Sequence, residues 1–208
     1  MPQETIDISR TISEGALVYP GDDPIQLERR WRIGPDCPFN MSKLSWTTHA
    51  VTHLDPPFHF FEEGMSIDEI PLARFIGEAR VVEITGDSIG TDDIPPFESI
   101  QGRNLLFKTR HSTESDPRRF DPHHVFMTAE AAYAVVARGV NLVGIDYLSL
   151  DRHGDEAFPV HRILLGGNVL ILEGLDLSGA GAGRYTLAAF PLKLAHGDGA
   201  PVRAVLIP

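Results

Sequence analysis

Residues 128–146 read TAEAAYAVVARGVNLVGID, and the two halves of this stretch call for different backbones. In the first half Thr128 is a good N-cap residue, and Glu130 falls in the first turn, where a carboxylate meets the positive end of a helix. An alanine-rich interior then runs without a breaker to Gly139, so the spacing predicts a helix over 128–139. The second half, 140–146, is a short apolar run after a glycine and predicts a buried strand. A helix feeding directly into a buried strand makes the chain mixed α/β. Further strand-like runs lie on both sides, at 6–9, 81–84, 105–108, 169–172, 185–192 and 201–208. Between them the punctuation is strong. Tyr19-Pro20-Gly21-Asp22-Asp23-Pro24 predicts a turn. Gly179-Ala180-Gly181-Ala182-Gly183 lacks dinucleotide-binding spacing and also reads as a turn. The polar stretch 111–124, HSTESDPRRFDPHH, predicts a surface loop whose adjacent His123 and His124 point apart. With no repeat and no dividing linker, 1–208 is expected to be a single domain of many strands and few helices.

The chain has 208 residues, enough to bury a core without disulfides or structural staples. Its 18 Lys and Arg against 29 Asp and Glu leave a net charge of −11. That balance argues against nucleic acid or an anionic membrane as partner, because phosphate binding is driven by basic side chains. No apolar run is long enough to span a bilayer, and the first thirty residues lack a secretory pattern. The single cysteine, Cys37, fits a reducing compartment and reads as a small inert thiol. A cytoplasmic location is the expectation.

The chemistry concentrates in residues 48–59, THAVTHLDPPFH, which hold three of the nine histidines and an aspartate. Pro56 and Pro57 exclude a regular helix there. In an extended segment His53 and Asp55, two apart, share a face, and His49 is expected on the same face. Imidazole with carboxylate suits Zn²⁺, or alternatively Mn²⁺ or Fe²⁺. Neither Ser9 nor Ser149 sits in a nucleophile-elbow motif, which argues against a serine hydrolase. Arg118 and Arg119 read as a solvated pair. Trp31 and Trp46 read as core or interface aromatics, Trp46 also being near enough in sequence to His49 to line a site there.

The run His49-Ala50-Val51-Thr52-His53-Leu54-Asp55-Pro56-Pro57-Phe58-His59 resembles the His-x-Gly-Thr-His-x-Asp-x-Pro-x-His signature of the cyclase-like metal-dependent hydrolases. Within that family the resemblance points to the branch that hydrolyses aryl formamides, and it extends over nearly the whole chain. It takes in Asp7-Ile8-Ser9, Tyr19-Pro20-Gly21-Asp22, Val143-Gly144-Ile145-Asp146, Ser149-Leu150-Asp151, His161-Arg162, Glu173-Gly174-Leu175 and the tail. It implies a compact swivelling β/β/α-type domain with a barrel-like core, and a homo-oligomer, at least a dimer, with Trp31 as a candidate interface residue. It also implies two divalent ions, zinc first and manganese second. His49, His53 and Asp55 would hold one ion, and His161 the other, with Asp55 and Glu173 bridging. His59 would be the acid/base and Tyr19 a substrate contact.

The implied reaction is hydrolysis of N-formyl-L-kynurenine to L-kynurenine and formate. Ions would make water nucleophilic at neutral pH, and His59 would carry the proton. Two alternatives stand beside it: a hydrolase of the same family acting on another cyclic or aryl amide such as isatin, and a non-catalytic metal-binding protein. Two positions depart from the pattern. Val51 replaces the signature glycine, which predicts strain if the backbone there needs positive φ. Tyr19 stands where the formamidase branch carries tryptophan, which makes a smaller pocket with an added hydroxyl.

Overall fold

The structure, a computed structural model, describes residues 4–96, 103–113 and 119–208. Twelve strands occur among them: β1 (Ile6–Asp7), β2 (Gln26–Trp31), β3 (Met41–Ser45), β4 (His53–Asp55), β5 (Ile76–Glu83), β6 (Ser88–Ile89), β7 (Asn104–Lys108), β8 (Phe126–Met127), β9 (Leu142–Ile145), β10 (Leu170–Glu173), β11 (Gly183–Pro191) and β12 (Ala200–Ile207). Two α-helices join them, α1 (Ala129–Ala137) and α2 (Pro159–Gly166). The main sheet runs β1-β12-β11-β5-β7-β9-β10-β4, and a further pairing of β12 with β4 closes seven of its strands into a barrel. Strands β5, β7, β9 and β10 are mutually parallel, and the remaining pairings are antiparallel.

The barrel wall separates two cores. Its interior is filled by residues such as Leu54, Val81, Leu106, Leu142, Leu172 and Leu206. The neighbours of several of these on the same strands (Leu105, Phe107, Val143, Ile171) face outward onto α1 and α2. Strands clothed on both faces need apolar residues at every position, which is why 142–145 and 169–172 read as unbroken apolar runs and not as alternation.

The expected helix is present, capped by Thr128, whose Oγ1 accepts a hydrogen bond from the Ala131 N–H at 3.2 Å. Helix α2 has no clear signal in the sequence pattern. It starts at Pro159, a residue suited to the first helical position because its missing N–H would have no partner there. The polar stretch 111–124 is not simply a surface loop. His111 and His124 are buried, with His123 exposed, because the ends of the stretch pack against the ring of Tyr147. Residues 114–118 of that stretch, including Arg118, lie outside the described residues.

One glycine is dictated by the packing of β10 against the turn before β4. Gly174 adopts φ +68°, and a Cβ there would lie 1.9 Å from the carbonyl oxygen of Val51. Left-handed backbone costs a substituted residue about 1–2 kcal/mol even without a clash. Gly174→Ala is therefore expected to destabilise the fold by about 2 kcal/mol or more, seen in a thermal melt as a Tm lower by at least about 4 °C.

Candidate metal centre

Strands β4 and β10 are antiparallel neighbours, with His53 opposite Glu173 and Asp55 opposite Ile171. Alternation sends Leu54 and Leu172 into the barrel. His53, Asp55 and Glu173 therefore emerge on the outer face, beneath α2. Helix α2 supplies His161 from its first turn. The expectation that His53 and Asp55 share a face holds. His49 arrives differently from what was expected. Residues 47–52 form turns and bends, with Val51 at φ +64°, so the His49 ring reaches the site around a turn and not along a strand face.

All five predicted ligands converge. His49 Nδ1 lies 2.8 Å from Asp55 Oδ1, and His53 Nε2 lies 3.4 Å from the same oxygen. His161 Nε2 lies 3.6 Å from Asp55 Oδ2 and 3.5 Å from Glu173 Oε1. His53 Nε2 is 3.8 Å from Glu173 Oε2. Two sets of donor atoms sit within 4.8 Å of one another, His53 with Asp55 and Glu173, and His49 with Asp55 and His59. His59 is thus within ligand reach as well, and its ring stacks on His49 at 3.9 Å between centroids.

Four of the five candidate ligands are aimed by a partner behind them. His53 Nδ1 donates to the Val51 carbonyl at 3.0 Å, which leaves Nε2 facing the carboxylates. His161 Nδ1 meets Asp151 Oδ2 at 2.6 Å, and the same carboxylate accepts the Val160 and His161 N–H groups at the start of α2. Glu173 Oε1 accepts the Leu150 N–H at 2.7 Å, and His49 Nε2 meets Asp198 Oδ2 at 3.2 Å. A ligand histidine whose other nitrogen is engaged in this way has its tautomer and ring plane fixed. The roles of Asp151 and Asp198 were not read from the sequence. Asp151 gave a signal, being an acid in the mostly apolar run YLSLD, whereas nothing in the sequence around Asp198 distinguished it from a surface acid.

The electrostatics test whether these side chains fit a cation. Asp55 and Glu173 are 0% and 3% exposed, and Asp55 Oδ2 is buried without a hydrogen-bond partner. Burial pushes Glu173 up to about 8, with His161 opposing and Asp55 reinforcing the rise. Burial works against ionisation of Asp55 too, yet His53 and His49 hold it well below the usual carboxylate range. His161 would be lowered by its burial, but Glu173, Asp151 and Asp55 override that and raise it to about 10. His49 is likewise raised to about 9 against its burial, by Asp55 and Asp198. Two buried acids ringed by imidazoles, one carboxylate oxygen being without a partner, form a donor set of the histidine-and-carboxylate kind that a borderline divalent cation takes. The residues fit such an ion.

The candidate ligands floor a cavity of about 350 Å³ whose walls include Tyr19, Asp22, Phe60, Leu148 and Phe158. Tyr19 is half-buried, and its hydroxyl is 3.3 Å from His153 Nδ1. His59 also lines the cavity, and burial lowers it to about 4, so it is a neutral imidazole near pH 7. Trp46 does not line this cavity. It borders another of about 520 Å³ with Arg10, Phe190 and Arg203, and packs beside Val51.

Comparison with known proteins places the chain in a family. The sequence model of the Cyclase family matches residues 6–152. This chain belongs to that family. A protein named kynurenine formamidase from Salinibacter ruber (strain DSM 13855 / M31) is 37% identical over 204 residues, covering 97% of this chain and 96% of its own length. The structure titled as a predicted metal-dependent hydrolase from Bacillus stearothermophilus superposes with a TM-score of 0.84 at 31% identity, over 99% of this chain and 98% of that one. Isatin hydrolase A from Labrenzia aggregata shares the fold, with a TM-score of 0.86 at 24% identity over 98% of this chain and 93% of that one. The family match ends before His161 and Glu173, so the second half of this candidate site rests on the convergence itself.

Replacing Asp151 by Asn would keep the shape of the α2 start while weakening the hold on His161. The expected result is a loss of about 10–100-fold in Zn²⁺ affinity by calorimetric titration, with circular dichroism unchanged.

Proposed function

We propose that this chain, as a single domain over 1–208, hydrolyses N-formyl-L-kynurenine to L-kynurenine and formate. The observation that carries the reading is the convergence of His49, His53, Asp55, His161 and Glu173 with His59 in one cavity, in a chain 37% identical to a kynurenine formamidase. His49, His53 and Asp55 would hold one divalent ion and His161 another, with Asp55 and Glu173 shared, zinc being the first candidate and manganese the second. Ions so bound polarise a carbonyl and make water acidic enough to ionise near neutrality.

The protein's own groups do the rest. Tyr19 offers a ring to an aryl substrate, and Phe60, Phe158 and Leu148 narrow the water-accessible volume around the formamide. Neutral His59 takes the proton from the attacking water and returns it to the aryl nitrogen as the carbon–nitrogen bond breaks. Formate and the free arylamine leave. An isatin-hydrolase reading has the fold in its favour, but its relative is more distant than the formamidases. A purely structural metal is disfavoured by the open cavity and by His59, since structural sites close their coordination with four protein ligands.

A homodimer belongs to the same reading. Strands β2 and β3 pair only with each other, all their residues are exposed, and an isolated two-stranded hairpin is marginal in water. Leu27, Trp31, Ile33, Phe39, Met41 and Leu44, in the hairpin and its turn, are six of the twelve exposed large apolar residues among those described. Residues 26–45 carry four basic and two acidic side chains on a chain of net −11, so this arm would meet an acidic surface on a second copy. The acidic balance also speaks against nucleic acid, and no helix among the described residues is long and apolar enough to cross a membrane. The lone Cys37 fits a cytoplasmic setting.

Formate release from N-formyl-L-kynurenine, measured together with metal content, tests the reaction. His59→Ala is expected to lower kcat by about 10²–10⁴-fold with metal content retained; loss of metal with activity would make His59 a ligand. Trp31→Glu is expected to convert a species of twice the chain mass in light scattering into one of single mass, and an unchanged mass would remove the hairpin from the interface.

A further inference from the structure

The segment Tyr19-Pro20-Gly21-Asp22 forms a closed turn, with the Asp22 N–H donating to the Tyr19 carbonyl at 3.0 Å. Proline at the second position and Gly21 at φ +103° at the third give a type II turn, which needs a residue free to adopt positive φ at that third place. The turn brings its two ends to one wall of the cavity: the ring of Tyr19 and the half-buried carboxylate of Asp22. It uses Asp22 through the backbone, so the side chain of this cavity-lining residue is not consumed by the turn.

The other charged or titratable groups on that wall and floor already have work. His49, His53, Asp55, His161 and Glu173 form the metal centre, and His59 moves the proton. Asp22 is the one acid lining the cavity that neither role uses, and no lysine or arginine lines it among the described residues. A carboxylate held at the edge of an apolar, ring-lined cavity disfavours an anionic group close to it and favours a cationic one.

We propose that Asp22 is a specificity-determining residue that accepts the α-ammonium group of an amino-acid substrate whose aryl ring lies against Tyr19. This deepens the formamidase reading above and rests on it. The scissile formamide is then positioned from both ends, by the centre at the floor and by the ion pair at the wall. The substrate's α-carboxylate, finding no cation among the described residues of the wall, points toward solvent. The site selects aryl formamides that carry an ammonium group over those that lack it.

The test compares two formamides with the metal-loaded protein: N-formyl-L-kynurenine and 4-(2-formamidophenyl)-4-oxobutanoate, which lacks only the amino group. The wild-type chain is expected to favour the first by about tenfold or more in kcat/KM, the scale of one charge-assisted hydrogen bond. In Asp22→Asn the preference falls to within about twofold of unity, and Asp22→Glu restores part of it. A preference that survives in Asp22→Asn, or its absence in the wild type, overturns the proposal while leaving the formamidase reading intact. Formate release from neither compound overturns that reading, and the proposal with it. Where Asp22→Asn fails to fold, inhibition of the wild type by L-kynurenine against its des-amino analogue decides: equal inhibition constants overturn the proposal, and tighter binding of L-kynurenine supports it.

Discussion

Two buried carboxylates on adjacent strands set the terms for this protein. Asp55 and Glu173 stand on the outer face of the barrel wall, almost without exposure, within reach of each other's imidazole partners. In a low-dielectric setting two acids that close cannot both ionise without a compensating charge. Their opposite behaviour, Asp55 held far down and Glu173 pushed up, is that conflict expressed in one site. A cation relieves it for both at once, and the surrounding geometry is consistent with such an ion: three histidines with nitrogens turned inward, each with its other nitrogen engaged behind.

The fold supplies the stiffness this needs. Because β4 and β10 are locked in register and their alternate residues fill the barrel, neither strand can slip by one residue without turning its candidate ligands into the apolar interior. Asp151 joins α2 to the same site by taking two helix N–H groups and His161 Nδ1 on one carboxylate, so the start of the helix and the orientation of its ligand are one constraint. The carboxylate of Glu173 is steadied by backbone, through the Leu150 N–H. Groups fixed in this way lose little freedom when a substrate binds.

Much of this was legible in the residues themselves. The helix at Ala129–Ala137 and the buried strands follow from local pattern, as does the shared face of His53 and Asp55. His161 and Glu173 were not legible from spacing, since they lie about 110 residues or more beyond His49; only the family resemblance brought them together. The sequence could not place His49 on a turn, because a strand-like pattern with valine at position 51 hides a left-handed residue. Helix α2 was missed for a related reason: its polar and proline-containing approach reads as loop, and its amphipathic run is only eight residues long. The hairpin of β2 and β3 was obscured by its own chemistry, since its alternation of charged and apolar residues has no core on either side to satisfy.

Val51 shows how the family pattern can change residue and keep its geometry. The glycine it replaces was expected to matter only if the backbone needs positive φ, and at φ +64° the backbone does need it. A left-handed conformation costs an ordinary residue about 1–2 kcal/mol, and β-branching makes it less favourable still. The valine side chain is 2% exposed, packed with Ile25 and Ala50 and flanked by Trp46. Burying a valine contributes about 1.5–3 kcal/mol, enough to offset the strain. The conformation is kept because the Val51 carbonyl must accept from His53 Nδ1, and Gly174 must fit against that same carbonyl. Phe158, at φ +47°, leads into the helix that bears His161 and lines the cavity as well. Strained non-glycine residues thus sit beside candidate ligands on both sides of the centre, where packing holds a backbone that the convergence of these side chains requires.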